Sequence, residues 1–192
     1  MKWIYRELIT VGRFLFEEGL VSARSGNLSR AFGDMLFITR TGSNMGFLSS
    51  YDILELPLRE TTILDTRASV ELPVHREVIL KTGKSSVVHA HPTYTLRLAY
   101  ETEKIVPLDS EGKEILGEVP VLSLEKPSAS DELAREVASV LKSLPAVVIR
   151  GHGVFCAHKE LMRAYSYIST LERSCKLILT GGQGPSSDKI MK

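Results

Sequence analysis

Two histidines one residue apart, in a run of strand-forming residues, are the clearest candidates for chemistry in this sequence. They are His89 and His91, and they end the segment 86–91, which reads Ser-Val-Val-His-Ala-His. Alternate side chains of a strand project from the same face, so the two imidazoles are expected to lie a few ångströms apart. That spacing suits the chelation of one metal ion.

A third histidine, His152, is flanked by Gly151 and Gly153 and follows the apolar run 146–149. Glycines on both sides allow the chain to turn sharply and bring the ring towards a neighbouring strand without obstruction by a Cβ atom. Three protein ligands with one open position form the pattern of a catalytic zinc site rather than a structural one. We therefore expect one zinc ion per chain, bound by the three histidines.

The remaining histidines have a structural interpretation, because an isolated imidazole near a strand is usually half-buried and hydrogen-bonded. His75 follows Glu71 by four residues on one predicted helix and is expected to orient that helix or the site, whereas His158 is expected at the surface. Glu71 itself lies two residues after Ser69, a helix-capping residue, where the helix dipole favours negative charge. A solvated glutamate in the first helical turn would explain Glu71 equally simply.

Hydrophobic spacing, capping residues and turn residues predict an alternation of helices and strands. The predicted helices are one from about residue 4 that closes at Gly19, and those at 69–81, 93–100, 130–141 and 159–179. The predicted strands are a hairpin within 28–39 that turns at Gly33 and Asp34, and those at 53–58, 86–91, 119–122 and 146–149. This alternation favours one α/β domain over residues 1–180, with helices packed on a central sheet, and the Gly- and Ser-rich segment 181–192 is expected to be a flexible tail.

Composition excludes several classes of protein. With 24 Lys and Arg against 23 Asp and Glu, scattered along 192 residues, the net charge is +1 and nucleic acid is not an expected partner. No apolar run approaches the roughly 20 residues of a membrane helix, and the first residues do not resemble a signal peptide, so a cytoplasmic protein is expected. The two cysteines, Cys156 and Cys175, have no metal-ligand or redox spacing and are expected to be buried and unpaired.

Five short segments occur in an order that resembles the class II aldolase and adducin-head family, and within it the fuculose-phosphate aldolases. The resemblance extends from the first helix to about Leu179. The five segments are Gly26-Asn27-Leu28-Ser29, Ile38-Thr39-Arg40-Thr41-Gly42, the helix start Ser69-Val70-Glu71, the pair His89-Ala90-His91-Pro92, and Gly151-His152-Gly153. Together they are specific, although each alone would be a weak signal.

The resemblance implies a three-layer α/β domain, with a mixed, largely antiparallel central sheet and helices on both faces. It also implies a cyclic homotetramer with active sites at subunit interfaces. Transferred to this sequence, the family pattern makes Glu71 the catalytic acid and base, a group that can also contact zinc in the empty site. It makes zinc ligands of His89, His91 and His152, and it places the substrate phosphate among Asn27, Thr41, Gly42 and Ser69.

The activity implied by the resemblance is reversible cleavage of a ketose 1-phosphate of the L-fuculose 1-phosphate type. The products would be dihydroxyacetone phosphate and a short aldehyde such as lactaldehyde. The sequence departs from the family pattern at Val70, where a second hydroxyl residue is common. It also departs at 106–113, which lacks the tyrosine that protonates the aldehyde oxygen in the fuculose enzymes.

Other members of the family remain as alternatives. A methylthioribulose-phosphate dehydratase uses the same metal triad and ranks second. A ribulose-phosphate 4-epimerase is disfavoured, because those relatives carry aspartate at the position of Glu71. A non-catalytic adducin-like binding module is the remote alternative, since such modules lack the full set of histidines, which this chain retains.

Overall fold

The computed structural model describes residues 2–181, which form one eight-stranded sheet covered by helices on both faces. The strand order across the sheet is β3-β2-β1-β4-β8-β7-β6-β5. Neighbouring strands are antiparallel except for β6 and β7, which are parallel. The strands are β1 (Asn27–Phe32), β2 (Met35–Thr39), β3 (Ile53–Pro57), β4 (Ser86–Ala90), β5 (Lys104–Ile105), β6 (Val119–Leu122), β7 (Ala146–Ile149) and β8 (Gly153–His158).

Six α-helices form the two outer layers within the described residues. They are α1 (Lys2–Glu17), α2 (Leu72–Thr82), α3 (Thr93–Ala99), α4 (Ser110–Ile115), α5 (Asp131–Leu141) and α6 (Leu161–Thr180). One apolar core packs α2 and α5 against one face of the sheet, and the other packs α1 and α6 against the opposite face. The expected three-layer fold with a mixed, largely antiparallel sheet is therefore confirmed.

Strand β4 shows how the alternation of side chains directs the site to one face. Val87 packs in the core beneath α2 and α5, while Val88 and Ala90 pack in the opposite core. With a period of two, His89 must share the face of Val87. The paired histidines therefore project towards the helix layer that carries Glu71.

The structure agrees with the predicted hairpin and corrects the start of the second predicted helix. Phe32 pairs with Met35 across the turn, where Gly33 adopts a φ of +58° that favours glycine. Helix α2 begins at Leu72, three residues later than predicted, and its N-cap residue is Glu71. Ser69 does not cap the helix, because its hydroxyl accepts a hydrogen bond from the Glu71 amide (3.2 Å) in the preceding turn.

Among the strands and α-helices of residues 2–181, three were not predicted: β5, α4 and β8. Strand β8 begins at the last glycine of the Gly-His-Gly segment, and its alternation of core-facing side chains is hidden because both of its faces are buried. Both cysteines are buried and free, as predicted. No helix in residues 2–181 is long and apolar enough to cross a membrane. The predicted tail, 181–192, lies outside the described residues apart from Gly181, and the domain limit at residue 180 stays a prediction.

Candidate metal centre

The three predicted histidine ligands converge at the junction of two neighbouring strands. His89 lies in β4, His91 follows that strand directly, and His152 lies in the turn that joins β7 to β8. Because β4 pairs with β8 so that Ala90 faces Val154, the turn arrives beside the histidine pair. One ring nitrogen from each histidine lies within 4.8 Å of the others, close enough for all three to bind one ion.

The orientation of His89 is fixed by its neighbours. Its Nδ1 lies 3.0 Å from the carbonyl oxygen of Val154 and donates a hydrogen bond to it, so that Nε2 carries the free lone pair. The ring also stacks on Phe155, with centroids 4.0 Å apart and planes at 15°. A backbone acceptor that fixes the tautomer in this way is typical of metal-binding histidines.

The two glycines beside His152 serve different purposes. Gly151 has a φ of +72°, a left-handed conformation that a residue with a Cβ atom adopts only at a cost. Gly153 instead provides space, because a Cβ atom there would lie 2.6 Å from the His89 ring and 2.7 Å from the His91 ring. The close approach of the three rings therefore depends on the missing side chain at Gly153.

Burial keeps the imidazoles neutral. It is the main cause that lowers the pKa of His89 well below its usual value, and the neighbouring rings of His91 and His152 lower it further. Burial likewise lowers the pKa of His91 to about 4, with His152 contributing. The pKa of His152 is also lowered by burial, although the Glu71 carboxylate and the Pro127 carbonyl oppose the shift.

A divalent ion fits this set of donors. His89 and His91 place their Nε2 atoms 2.9 Å apart, somewhat closer than the roughly 3.3 Å expected for two nitrogens about 2.05 Å from a tetrahedral zinc ion. Neutral imidazoles with lone pairs directed at a common point are the form in which histidine binds metal. The donor set therefore suits zinc, and a small adjustment of the rings would complete the geometry.

Glu71 is buried at the edge of the histidine cluster, with only 2% of its surface exposed. Its Oε1 lies 3.5 Å from Nε2 of His152. The hydroxyl of Ser128 donates to Oε1 (3.0 Å), and the amide of Ala129 lies 3.3 Å from both carboxylate oxygens. The interpretation of Glu71 as a solvated surface residue is therefore wrong.

The four residues predicted to hold the phosphate also meet at this site. They line one cavity of about 290 Å³ together with the histidines and Glu71. The predicted four are Asn27, Thr41, Gly42 and Ser69. Thr41 and Ser69 are brought together because the Thr41 amide donates to the Arg67 carbonyl and the Ser69 amide donates to the Thr39 carbonyl.

The cavity has further lining residues that sequence reasoning missed. Arg24 and Arg40 line it, as does Val70, which stands where a second hydroxyl residue is common in the family. Arg40 lies within one of the motifs that carry the resemblance, and Arg24 lies two residues before another. Their positive charges could therefore have been predicted from the sequence to contribute to an anion-binding site. Ser128 also lines the cavity, but no local pattern placed its loop near Glu71.

His75 is connected to this cavity through a hydrogen bond to Asn27, one of the lining residues. It is fully buried, and its Nδ1 and Nε2 lie 2.6 Å from the Ser29 hydroxyl and 2.5 Å from the Asn27 side-chain oxygen. Burial lowers the pKa of His75 to about 3, so the ring is neutral, with one nitrogen donating and the other accepting. The predicted orienting role of His75 thus corresponds to a hydrogen-bonded chain that ends at Asn27.

Comparison with known proteins identifies the class. A family model described as "Class II Aldolase and Adducin N-terminal domain" matches residues 6–179. Because the match covers most of the chain, the protein belongs to the class II aldolase and adducin family.

Within that family, the relatives have more than one activity. The structure is similar to the crystal structure of L-fuculose-1-phosphate aldolase from Thermus thermophilus, with 37% identity, a TM-score of 0.91 and coverage of 97% of this chain and 100% of that one. L-fuculose phosphate aldolase from Methanocaldococcus jannaschii is 29% identical, over 91% of this chain and 94% of that protein. Methylthioribulose-1-phosphate dehydratase from Acidiphilium cryptum is 30% identical, over 87% and 85%.

Proposed function

We propose that the protein is a zinc-dependent aldolase that reversibly cleaves a ketose 1-phosphate of the L-fuculose 1-phosphate type. The products would be dihydroxyacetone phosphate and a short aldehyde such as L-lactaldehyde. The observation that carries the proposal is the buried Glu71 carboxylate, 3.5 Å from His152, beside three neutral imidazoles within one cavity. A metal-binding cluster beside a buried carboxylate supplies both charge stabilisation and proton transfer.

The metal proposal assigns His89, His91 and His152 as the ligands of one zinc ion per chain. When bound, zinc would stabilise the negative charge that develops on the substrate oxygens as the carbon bond breaks. Glu71 would return a proton to the carbon left by the departing aldehyde, and remove it in the synthetic direction. The buried position of Glu71 supports this role, because it keeps the carboxylate away from bulk water.

The phosphate proposal places the substrate's terminal phosphate at the end of the cavity formed by two glycine-containing turns. Asn27, Thr41, Gly42 and Ser69 provide amide and hydroxyl donors, and Gly42 has a φ of +73°, a turn conformation that favours glycine. Arg24 and Arg40 also line the cavity and would add positive charge to it. A phosphate held there would fix the substrate relative to Glu71.

The test is to incubate the zinc-loaded protein with a small panel of ketose 1-phosphates. Dihydroxyacetone phosphate, detected by a coupled reduction, is the expected product, and the His152→Ala variant should not form it. Methylthioribulose 1-phosphate belongs in the panel because the A. cryptum relative is a dehydratase. Loss of water from that compound, without cleavage of any ketose phosphate, would replace the aldolase proposal by the dehydratase.

The proposed function also includes an oligomeric state and a cellular compartment. We propose a cytoplasmic homotetramer in which neighbouring subunits complete the active sites. Exposed apolar side chains support a contact surface, since Val70, which lines the cavity, is 60% exposed and Ile63, seven residues earlier in the chain, is 83% exposed. Light scattering coupled to size exclusion should give four times the mass of 21.3 kDa, and a monomer would refute the assembly.

A further inference from the structure

His75 joins two residues of strand β1 whose side chains project from the same face of the sheet. Asn27 and Ser29 are two residues apart in β1, so their side chains share a face. From helix α2, Nε2 of His75 lies 2.5 Å from the side-chain amide of Asn27, and Nδ1 lies 2.6 Å from the Ser29 hydroxyl. Asn27 is also the cross-strand neighbour of His89, so the chain of hydrogen bonds ends beside a predicted metal ligand.

The Ser29 hydroxyl decides which nitrogen of the His75 ring carries the hydrogen. Ser29 has no exposed surface, and His75 is the only hydrogen-bond partner of its side chain within residues 2–181. A buried O–H group without an acceptor is unfavourable, so the hydroxyl donates to Nδ1. Nδ1 can accept only when it carries no hydrogen, and a neutral ring then has its hydrogen on Nε2. Burial, which lowers the pKa of His75 to about 3, keeps the ring neutral.

The hydrogen on Nε2 determines how the Asn27 amide is turned. Because Nε2 donates, the Asn27 atom that faces it must be the oxygen, which accepts. The amide nitrogen is then the end left for another partner, and no acceptor for it is found among the described residues. Asn27 lines the cavity that contains the three histidines and Glu71. An N–H donor without a protein partner in the wall of a cavity is suited to binding an anion.

We propose that His75 is a positioning residue that fixes the Asn27 amide so that its NH2 group donates to an anionic group of the substrate. This inference rests on the proposed function, in which the substrate phosphate binds beside Asn27. With the amide reversed, its oxygen would face the phosphate and repel it. The hydrogen bonds from Ser29 through His75 therefore make Asn27 a donor before the substrate binds, which lowers the cost of ordering the site.

Two replacements of His75 separate its hydrogen bonds from its volume. His75→Leu keeps an apolar side chain in the core but leaves the Asn27 amide free to rotate. We expect the Kd for inorganic phosphate to rise about tenfold in zinc-loaded His75→Leu, and KM for a ketose 1-phosphate to rise similarly with little change in kcat. His75→Gln keeps a donor for Asn27 and an acceptor for Ser29, so it should restore phosphate affinity to within about threefold.

Asn27→Asp tests the donor itself without a change of shape. The carboxylate still accepts from His75, but it presents a negative oxygen in place of the NH2 group. We expect phosphate to bind about a hundredfold more weakly to this variant. Val78→Ala is the matched control for lost stability, because Val78 is buried on the same helix as His75 and its side chain offers no hydrogen bond. Its phosphate affinity should equal that of the wild type.

The direct measurement is NMR correlation of ring carbons and nitrogens in the full-length, zinc-loaded protein labelled at histidine. The signals of His75 are those that disappear in His75→Gln. We expect a hydrogen on Nε2 and none on Nδ1. This measurement uses the unmodified chain, so it decides the orientation of Asn27 even if His75→Leu does not fold.

Each outcome supports or overturns the proposal. A hydrogen on Nε2, with phosphate affinity lost in His75→Leu and restored in His75→Gln, would support it even if no ketose phosphate is cleaved, and the proposed aldolase activity would then fail alone. A hydrogen on Nδ1 would overturn it, since Asn27 would then turn its oxygen to the cavity. Unchanged phosphate affinity in Asn27→Asp or in folded His75→Leu would also overturn it, as would an equal loss in Val78→Ala and His75→Leu.

Discussion

The buried His75 makes the folded protein sensitive to acid, and the size of the effect follows from its environment. The ring is fully buried and burial lowers its pKa to about 3, against about 6.5 in an unfolded chain. Between these values the unfolded chain binds more protons than the folded one, so stability rises with pH and is lost on acidification. At pH 5 the unfolded state gains about 2 kcal/mol relative to the folded state from this residue alone, from 1.36 kcal/mol per pKa unit.

The matched comparison is His75→Gln, which offers one donor and one acceptor to Asn27 and Ser29 but does not titrate. Urea unfolding of the metal-free protein at pH 8 and pH 5 measures the loss in both proteins. Other titrating groups are common to both, so their contributions cancel in the difference. The wild type should lose about 2 kcal/mol more than His75→Gln between the two pH values, or about 4–8 °C in melting temperature.

The result that would refute this reasoning is an equal loss of stability in the two proteins. Equal loss would mean that His75 is protonated in the folded state, with the Asn27 oxygen accepting from a charged ring. A smaller loss in the wild type than in the variant would reverse the sign and exclude a neutral His75.

Three further outcomes test the site. Saturating zinc should raise the melting temperature of the wild type by about 5–10 °C at a hundredfold excess over Kd, and calorimetry should show no such rise in His152→Ala. Glu71→Gln should retain its zinc by metal analysis but lose activity by about a hundredfold or more. The control Glu77→Gln, on helix α2, should keep both its zinc and its activity. Near wild-type turnover in Glu71→Gln would exclude Glu71 as the proton-transfer group. Thr41→Ala should raise KM for a ketose 1-phosphate about tenfold but not for the free ketose, and equal changes for both sugars in steady-state assays would remove Thr41 from the phosphate site.

The sequence predicted which side chains converge wherever one local rule decided the geometry, while their roles stay predictions. The spacing of His89 and His91 on a strand requires a common face whatever surrounds them, and the structure places both rings in one cluster. The same rule could not reveal β8, whose six residues are nearly all buried and therefore show no polar alternation. The reason for Gly153 was likewise hidden, because the clash that excludes a side chain there involves rings of residues far from it in the chain.

Contacts between distant segments account for the rest of what the sequence did not predict. The environment of Glu71 depends on the loop that carries Ser128, and nothing in either segment encodes the other. The predicted helix start was too early because Ser69 has the side chain of a capping residue, yet its hydroxyl accepts from the Glu71 amide in a turn before the helix, while its own amide donates to the Thr39 carbonyl of the neighbouring strand. Local propensity thus predicted most helices and strands, whereas packing between distant segments decided where helix α2 begins and which loop contacts Glu71.

The order of strands has a consequence for how the protein folds. Strands β1 to β4 occupy one side of the sheet and β5 to β8 the other, so within the sheet the first and second parts of the chain meet at the junction of β4 with β8. His89 and Glu71 come from one side of that junction, and His152 and Ser128 from the other. Such contacts close long loops, and proteins rich in them fold slowly. A chain whose strands and helices had formed, but whose two parts of the sheet were still separate, would have no metal site. The time at which metal affinity appears during refolding would therefore report when β4 and β8 join.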